Sequence, residues 1–315
     1  MKVSISTAYF NDSANFDELD QLRRFFETGR HFWAISDFDG LEGSGWMDDS
    51  GRSGLRAQEI YKKYVTLGGY PDQSRLHRIL LVVSDPPVSI DHLTLEQALE
   101  CLSAPALVAV ENETSDGGFL RAMQAAYSRS ELNQAFASGW WRLYHLGGFG
   151  EVEKCLRDKV LPGPCRTLVL ADSDALSPGH VTRTRKKVEE ACQSLKISCF
   201  ILSKRKIENY LPLDYLPDTS VKKAFLRLNN QQQSHYEMKH GFKRSENGEV
   251  EIPLEQRGLF ADPNAQNVKE QLIGGFGGQL SLKFSENITS LEMEAICPSD
   301  PTEIPRLLDQ IEALL

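Results

Sequence analysis

The stretch RTLVLADSDALSPG, residues 166–179, decides how the chain is interpreted. Its apolar run, residues 168–170, leads at once into Asp172 and Asp174 and then into a Pro-Gly turn. A short continuous apolar run that ends in turn residues indicates a strand buried on both faces. Two carboxylates at the end of such a strand are consistent either with a solvated turn or with a metal site.

The segments around this strand repeat the pattern of apolar strand and amphipathic helix. Further buried strands are predicted at ALVAVE (residues 106–111), WWRLYHL (140–146) and ISCFIL (197–202). Apolar residues recur at helical spacing in FLRAMQAAY (119–127), in EVEKCLRDKV (151–160) and in the segment with Val188, Ala191, Cys192 and Leu195. This alternation predicts an α/β fold in which a parallel sheet is flanked by helices.

The regular pattern covers residues 105–212 and divides the chain into three regions. Residues 1–104 are predicted to be an α/β region with helices at 15–29 and 54–68, strands at 31–36 and 78–83, and a loop rich in Gly and Asp at 36–54. Residues 213–315 are predicted to be mostly helical. This last region includes the Gly-rich LIGGFGGQL (272–280), a turn or loop, and the helix PRLLDQIEALL (305–315).

Composition narrows the class of protein. The chain has 315 residues and a formal net charge of -9, which argues against a surface that grips nucleic acid all round but not against a nuclease with clustered carboxylates. It has no apolar run of about 18 residues and no signal peptide, so a cytoplasmic protein without a membrane partner is predicted. The six cysteines form no C-x-x-C pair, which favours buried thiols over a disulfide framework or a zinc site.

Acidic residues follow three of the four predicted strands. Glu111 ends the first, Asp172 and Asp174 end the third, and Glu208 follows the fourth. Ligands of parallel sheets gather beyond the carboxyl ends of the strands. Carboxylates suit Mg²⁺, and two such ions roughly 3.5–4 Å apart can activate water and stabilise the leaving oxygen in phosphodiester cleavage. The pattern predicts a site for two divalent metal ions, which is the donor set that phosphodiester cleavage requires.

Three blocks of sequence resemble a known family. LVAVENETSDGGFL (107–120), LVLADSDALSPG (168–179) and ILSKRKIENYLP (201–212) resemble the signature blocks of a Toprim domain, in the version found in OLD-family and related bacterial defence nucleases. The resemblance covers residues 105–212. It implies a Toprim-like catalytic domain that cleaves DNA by a two-metal mechanism with Mg²⁺ or Mn²⁺, as the effector of an anti-phage system.

The resemblance also assigns roles to single residues. Glu111 resembles the family's metal ligand or proton-handling group, Asp172 and Asp174 resemble its metal-binding pair, and Glu208 resembles its additional acid. One of the basic residues beside Glu208 would neutralise the scissile phosphate, and these are Lys204, Arg205 and Lys206.

The first block departs from the family pattern. Asn112 stands where the family has glycine, and Asp116 follows Glu111 by five residues instead of the usual four. The second acidic ligand of this block is therefore either Asp116 or Glu113.

The chain has no G-x-x-x-x-G-K-[ST] loop, so the resemblance implies a separately encoded ATPase partner. Assembly of the chain into a homo-oligomer is left open.

Three alternative functions remain: a Toprim nuclease that cleaves RNA such as transfer RNA, a catalytically degenerate assembly or sensor subunit, and a nucleotide-sugar glycosyltransferase. The last uses the Asp-x-Asp but gives no role to Glu111 or Glu208. The basic segment 180–190 is either a solvated helix face or a guide for a nucleic-acid backbone.

Overall fold

Two parallel four-stranded sheets organise the protein. The structure, a computed structural model, describes residues 1–49, 55, 58–62, 80–86, 92–148, 151–158, 164–262 and 266–315. The predicted α/β class with helix-flanked parallel sheets is confirmed.

The N-terminal sheet has the order β2-β1-β3-β4 and its own core. Its strands are β1 (Lys2–Ile5), β2 (Phe32–Trp33), β3 (Leu80–Val83) and β4 (His92–Leu93), and its helices are α1 (Phe16–Glu27), α2 (Phe38–Glu42), α3 (Gly45–Asp48) and α4 (Leu95–Ser103). The helix predicted at 54–68 lies largely outside the described residues, although residues 58–62 are helical.

One prediction for this region is wrong. Within residues 36–49, the described part of the segment rich in Gly and Asp, the chain forms the short helices α2 and α3 instead of a continuous loop. The side chain of Asp37 accepts a hydrogen bond from the Gly40 N–H, and the side chain of Ser44 accepts one from the Met47 N–H, so each helix begins at a capping residue.

The central sheet has the order β6-β5-β7-β8, and all of its neighbours are parallel. Its strands are β5 (Ala106–Val110), β6 (Trp141–His145), β7 (Thr167–Ala171) and β8 (Ser198–Ile201), each within a residue of its prediction at either end. Alternate residues enter two cores, for example Leu168 and Leu170 on one face and Val169 and Ala171 on the other. Burial on both faces explains why these strands are continuous apolar runs.

Helices cover both faces of the central sheet. They are α5 (Glu113–Ala126), α6 (Ser130–Ala137), α7 (Val152–Arg157) and α8 (Arg183–Leu195). Helix α5 begins six residues before the predicted residue 119, because the Asn112 side chain caps it by accepting hydrogen bonds from the N–H groups of Thr114 and Ser115. The last residues of the helix predicted at 151–160 lie outside the described residues.

The strand order creates a crevice at the centre of the sheet. After β5 the chain adds β6 on one side and then crosses to β7 on the other side of β5. Such a reversal of strand order leaves a crevice at the carboxyl ends of the two strands where it occurs, which here are β5 and β7. Glu111 and Asp172 directly follow these two strands.

The C-terminal region shares the larger core of the central sheet. It consists of the helices α9 (Ser220–Phe225), α10 (Asn230–His235), α11 (Gln266–Gln271), α12 (Ser290–Ile296) and α13 (Glu303–Ala313), with a hairpin of β9 (Lys243–Arg244) and β10 (Val250–Glu251). The predicted terminal helix is α13, and it buries Ile304, Leu307, Leu308 and Ile311 in that core. Among the described residues, no helix is long and apolar enough to span a membrane.

Candidate functional site

The loop after β7 is fixed against the segment that follows β8. Asp172 Oδ1 accepts a hydrogen bond from the Ile207 N–H at 3.0 Å, and the Asp174 N–H donates to the Arg205 carbonyl at 2.9 Å. Ser173, buried between these aspartates, donates its hydroxyl to the Lys204 carbonyl at 2.7 Å. Two of the three sequence blocks therefore form one hydrogen-bonded unit.

Asp174 has a backbone conformation that most side chains avoid. Its φ of +50° lies in the left-handed region, which Asp tolerates better than bulkier residues. This conformation turns the chain directly after Ser173 and places Asp174 Oδ1 4.0 Å from Lys206 Nζ.

The first block provides one acid from the end of β5 and one from the first turn of α5. Glu111 is exposed at the end of β5, and Asp116 accepts hydrogen bonds from the Asn112 N–H at 2.9 Å and the Ser115 hydroxyl at 3.3 Å. Asp116 reaches the same cleft as Glu111, whereas Glu113 is exposed and does not line it. Between the two candidates for the second acid of this block, the structure places Asp116 at the site.

Glu208 is the most deeply buried acid of the group. It lies in a 3-10 turn, Ile207–Tyr210, with 1% of its side chain exposed. Its Oε1 atom lies 2.6 Å from Nζ of Lys239, a residue of the C-terminal region. A buried carboxylate needs such a partner because removing a charge from water is costly.

These side chains line one cleft of about 480 Å³, here called the acidic cleft. It lies at the crevice where the strand order reverses. Its lining residues are Glu111, Asn112, Ser115, Asp116, His145, Gly147, Gly148, Asp172, Asp174, Lys206, Ile207, Glu208, Lys239 and His240. The predicted acids Glu111, Asp116, Asp172, Asp174 and Glu208 are therefore all brought together.

Burial and neighbouring carboxylates change the protonation of Asp172 and Asp116. Burial raises the pKa of Asp172 well above its ordinary value, the charges of Asp116, Glu208 and Asp174 raise it further, and Lys206 opposes the rise. Burial also raises the pKa of Asp116 to about 6, although hydrogen bonds from Asn112 and Ser115 favour its charged form. The acidic cleft therefore holds more negative charge than its own lysines compensate.

Of the three basic residues proposed to neutralise the phosphate, Lys204, Arg205 and Lys206, only Lys206 lines the acidic cleft. Lys204 is buried, its Nζ donates to the Asn209 carbonyl at 2.7 Å, and it lies 5.0 Å from the centre of the Tyr210 ring. Burial lowers the pKa of Lys204 to about 8. The assignment of Lys204 to phosphate neutralisation is corrected, because its ammonium group packs beneath the turn that carries Glu208 instead of facing the cleft.

Sequence reasoning missed the basic residues that come from distant segments. Lys239 and His240 follow α10, His145 ends β6, and none of them belongs to a recognised block. Glu237 was missed as well: it pairs with Arg205 at 3.0 Å and with Lys206 at 3.2 Å. Burial opposes ionisation of Glu237, but these two cations lower its pKa.

The Gly-rich segment 272–280 gives a structural reason for the position of Lys239. The N–H groups of Phe276 and Gly277 donate to the carbonyls of Met238 and Lys239 at 2.7 Å and 2.9 Å. Gly241 has a φ of +61°, and a Cβ at this position would collide with the Leu272 carbonyl. The glycine cluster is therefore a tight turn that supports the backbone of Lys239 in the cleft wall. It is the feature of the sequence that could have pointed to Lys239.

The donor set of the acidic cleft is suited to a hard divalent cation. All five acids offer carboxylate oxygens, which are the ligands of Mg²⁺, and a cation would relieve the repulsion that raises the pKa of Asp172. In the part of the chain that the structure describes, no three His, Cys, Asp or Glu side chains already converge as a metal-ligand group. Binding would require side-chain rotations, above all separation of Glu208 from Lys239.

The basic segment 180–190 lies beside this site but does not line it. Within α8, Arg185 Nε lies 2.9 Å from Glu189 Oε1, and Lys186 Nζ lies 3.9 Å from Glu190 Oε1. These pairs are typical of a solvated helix face.

Comparison with known proteins adds no relative. The chain matches no protein-family model, no curated protein and no solved structure. The class of the protein therefore follows from its own fold and cleft: an α/β protein with an acidic cleft at the switch point of a parallel sheet.

Proposed function

We propose that the protein is a Mg²⁺- or Mn²⁺-dependent nuclease with a Toprim-like catalytic domain at residues 105–212. The observation that carries the proposal is the convergence of Glu111, Asp116, Asp172, Asp174 and Glu208 in one cleft. Independent surface turns would have no reason to lie together at the switch point of the sheet.

Within this proposal the acids hold the metal ions and one of them handles a proton. Asp172, Asp174 and Glu208 are the principal ligands, with Glu111 and Asp116 on the opposite side of the crevice. Bound Mg²⁺ or Mn²⁺ would supply Lewis-acid activation of water and neutralise charge on the phosphate. Glu111 is exposed and follows β5, so its carboxylate is accessible to take up a proton from the attacking water.

The lysines of the cleft account for an anionic substrate. Lys206 and Lys239 have 26% and 25% of their side chains exposed, so both ammonium groups can turn toward a phosphate at the cleft mouth. Cation binding would release them, since it takes over the neutralisation of Asp174, Glu208 and their neighbours. DNA is the proposed substrate, with RNA such as transfer RNA as the alternative, and a separately encoded ATPase is the proposed partner in anti-phage defence.

The residues of the acidic cleft also bear on two alternative functions. A nucleotide-sugar glycosyltransferase needs the Asp-x-Asp pair but leaves Glu111 and Glu208 without a task. A degenerate assembly subunit is favoured by one observation, the close ion pair between Lys239 and Glu208, which compensates a metal ligand internally.

A cleavage assay tests the proposal. Plasmid DNA and transfer RNA are incubated with the protein and Mn²⁺ or Mg²⁺, alone and with the candidate ATPase. We expect metal-dependent cleavage that Asp172→Asn abolishes and that the exposed control Glu113→Gln retains. If both nucleic acids stay intact under every condition, the nuclease proposal is wrong. Binding of the ATPase without cleavage would then favour the assembly subunit.

A further inference from the structure

Two cysteine thiols lie together where the N-terminal region meets the central sheet. Cys101 belongs to α4, and Cys165 lies in the 3-10 turn Pro164–Arg166 that leads directly into β7. They are 64 residues apart in sequence, yet their sulfur atoms lie 3.1 Å apart. A disulfide bond is about 2.05 Å long, so a shift of roughly 1 Å would join them.

The junction around the pair is held by arginines and by packing. Arg166 donates to the Ala104 carbonyl at 2.8 Å, and Arg30 donates to the carbonyls of Ser103 and Ala104 at 2.8 Å and 2.7 Å. Cys165 itself packs against the core of the N-terminal region. The two sulfur atoms are therefore kept close by their surroundings and do not depend on chance encounter.

We propose that Cys101 and Cys165 are a modification site that forms a disulfide bond when the protein meets a peroxide, and that this bond locks the N-terminal region to β7. The strand that would be locked ends next to Asp172. This inference does not rest on the proposed nuclease activity.

The chemistry of the pair is balanced by one peroxide molecule. Cys165 reacts first because it is partly exposed, whereas Cys101 is 7% exposed. Its thiolate attacks a peroxide oxygen, the O–O bond breaks, and hydroxide leaves and is protonated to water. The Cys101 sulfur then attacks the sulfenic sulfur of Cys165. The S–O bond breaks, and the Cys101 proton leaves with a second water.

The order of reaction fits the protonation of the Cys101 thiol. The hydrogen bond to Cys165 and burial raise the pKa of the Cys101 thiol. Cys101 therefore remains a thiol until its partner has become an electrophile. Overall, two thiols lose two electrons and two protons, and the peroxide is reduced to two waters.

Peptide mapping of the full-length protein tests the proposal. The protein is treated with hydrogen peroxide, alkylated, and digested with trypsin without reduction. We expect peptide 79–121, which contains Cys101, to be linked to peptide 160–166, which contains Cys165. Dithiothreitol should separate them, and Cys165→Ser should prevent the link. Cys297→Ser, a matched control at a thiol that is 6% exposed, should leave it intact.

A second measurement keeps the result independent of the variants' folding. Oxidised wild-type protein should unfold at a higher temperature than the reduced protein, because the cross-link restrains the unfolded chain. Recovery of the two peptides separately after peroxide treatment, alkylated or oxidised to sulfinic acid, would overturn the proposal. A link from either cysteine to a different thiol would overturn it as well.

Discussion

Replacement of Asp116 by Asn should stabilise the metal-free protein at neutral pH. The pKa of this carboxyl rises from 3.8 to about 6 on folding. For an acid, a raised folded-state pKa means that the folded protein holds its proton more tightly than the unfolded chain. Stability is therefore highest when Asp116 is protonated, and it falls as pH rises from about 4 to about 6.

The magnitude follows from the shift. The rise of the pKa from 3.8 to about 6 means that the charged Asp116 lowers the unfolding free energy by about 3 kcal/mol above pH 6. Part of the side chain faces solvent in the cleft, so screening reduces the expected gain for Asp116→Asn to about 1–2 kcal/mol. The amide oxygen of Asn can still accept the hydrogen bond from the Asn112 N–H, which Asp116 accepts in the wild type.

Urea unfolding in EDTA at pH 4 and pH 7.5 measures this effect. The gain of Asp116→Asn over wild type should be present at pH 7.5 and small at pH 4. Glu113→Gln is the matched control, because Glu113 is exposed one turn away on the same helix, and it should change stability by less than about 0.5 kcal/mol. A variant that is less stable than wild type at pH 7.5, or a gain independent of pH, would refute the reasoning.

Two further substitutions test how the cleft is built. Lys239→Met should destabilise the protein by about 2–3 kcal/mol, because it leaves Glu208 buried without its cation, and Glu208→Gln in the same chain should recover part of the loss in a thermal unfolding experiment. Gly241→Ala should destabilise it by more than about 2 kcal/mol in urea unfolding, because the Cβ collides with the Leu272 carbonyl. Gly248→Ala, also at positive φ but in open space, should cost about 1 kcal/mol; equal losses would contradict the bracing role of Gly241.

The sequence was sufficient to predict the strands of the central sheet and the acids at their ends. Strands such as β7 are buried on both faces, so each is an uninterrupted apolar run with clear limits. The strand order could not be predicted from this pattern, because an apolar run shows that a strand is buried but not which strands it pairs with. The crevice between β5 and β7, which explains why Glu111 and Asp172 meet, became visible only with the topology.

The errors arose where local and long-range contacts override composition. The apolar pattern begins the predicted helix only at Phe119, but the Asn112 cap starts α5 six residues earlier. Lys204 stands close to Glu208 in sequence, yet its Nζ donates to the Asn209 carbonyl and does not line the cleft. Lys239 was missed because its contact with Glu208 joins segments that only the folded chain brings together.

Cation binding is the most direct test of the central claim that the acidic cleft is a divalent metal site. Isothermal titration calorimetry with Mn²⁺ measures the cation affinity without a substrate or an ATPase partner. The proteins to titrate are the wild type, Asp172→Asn and Glu113→Gln. We predict saturable binding to the wild type and to Glu113→Gln. Asp172→Asn should weaken it at least as much as the roughly 10–100-fold that loss of a residue supporting a metal ligand costs. Absence of saturable binding to the wild type, or equal affinity in Asp172→Asn, would contradict the account.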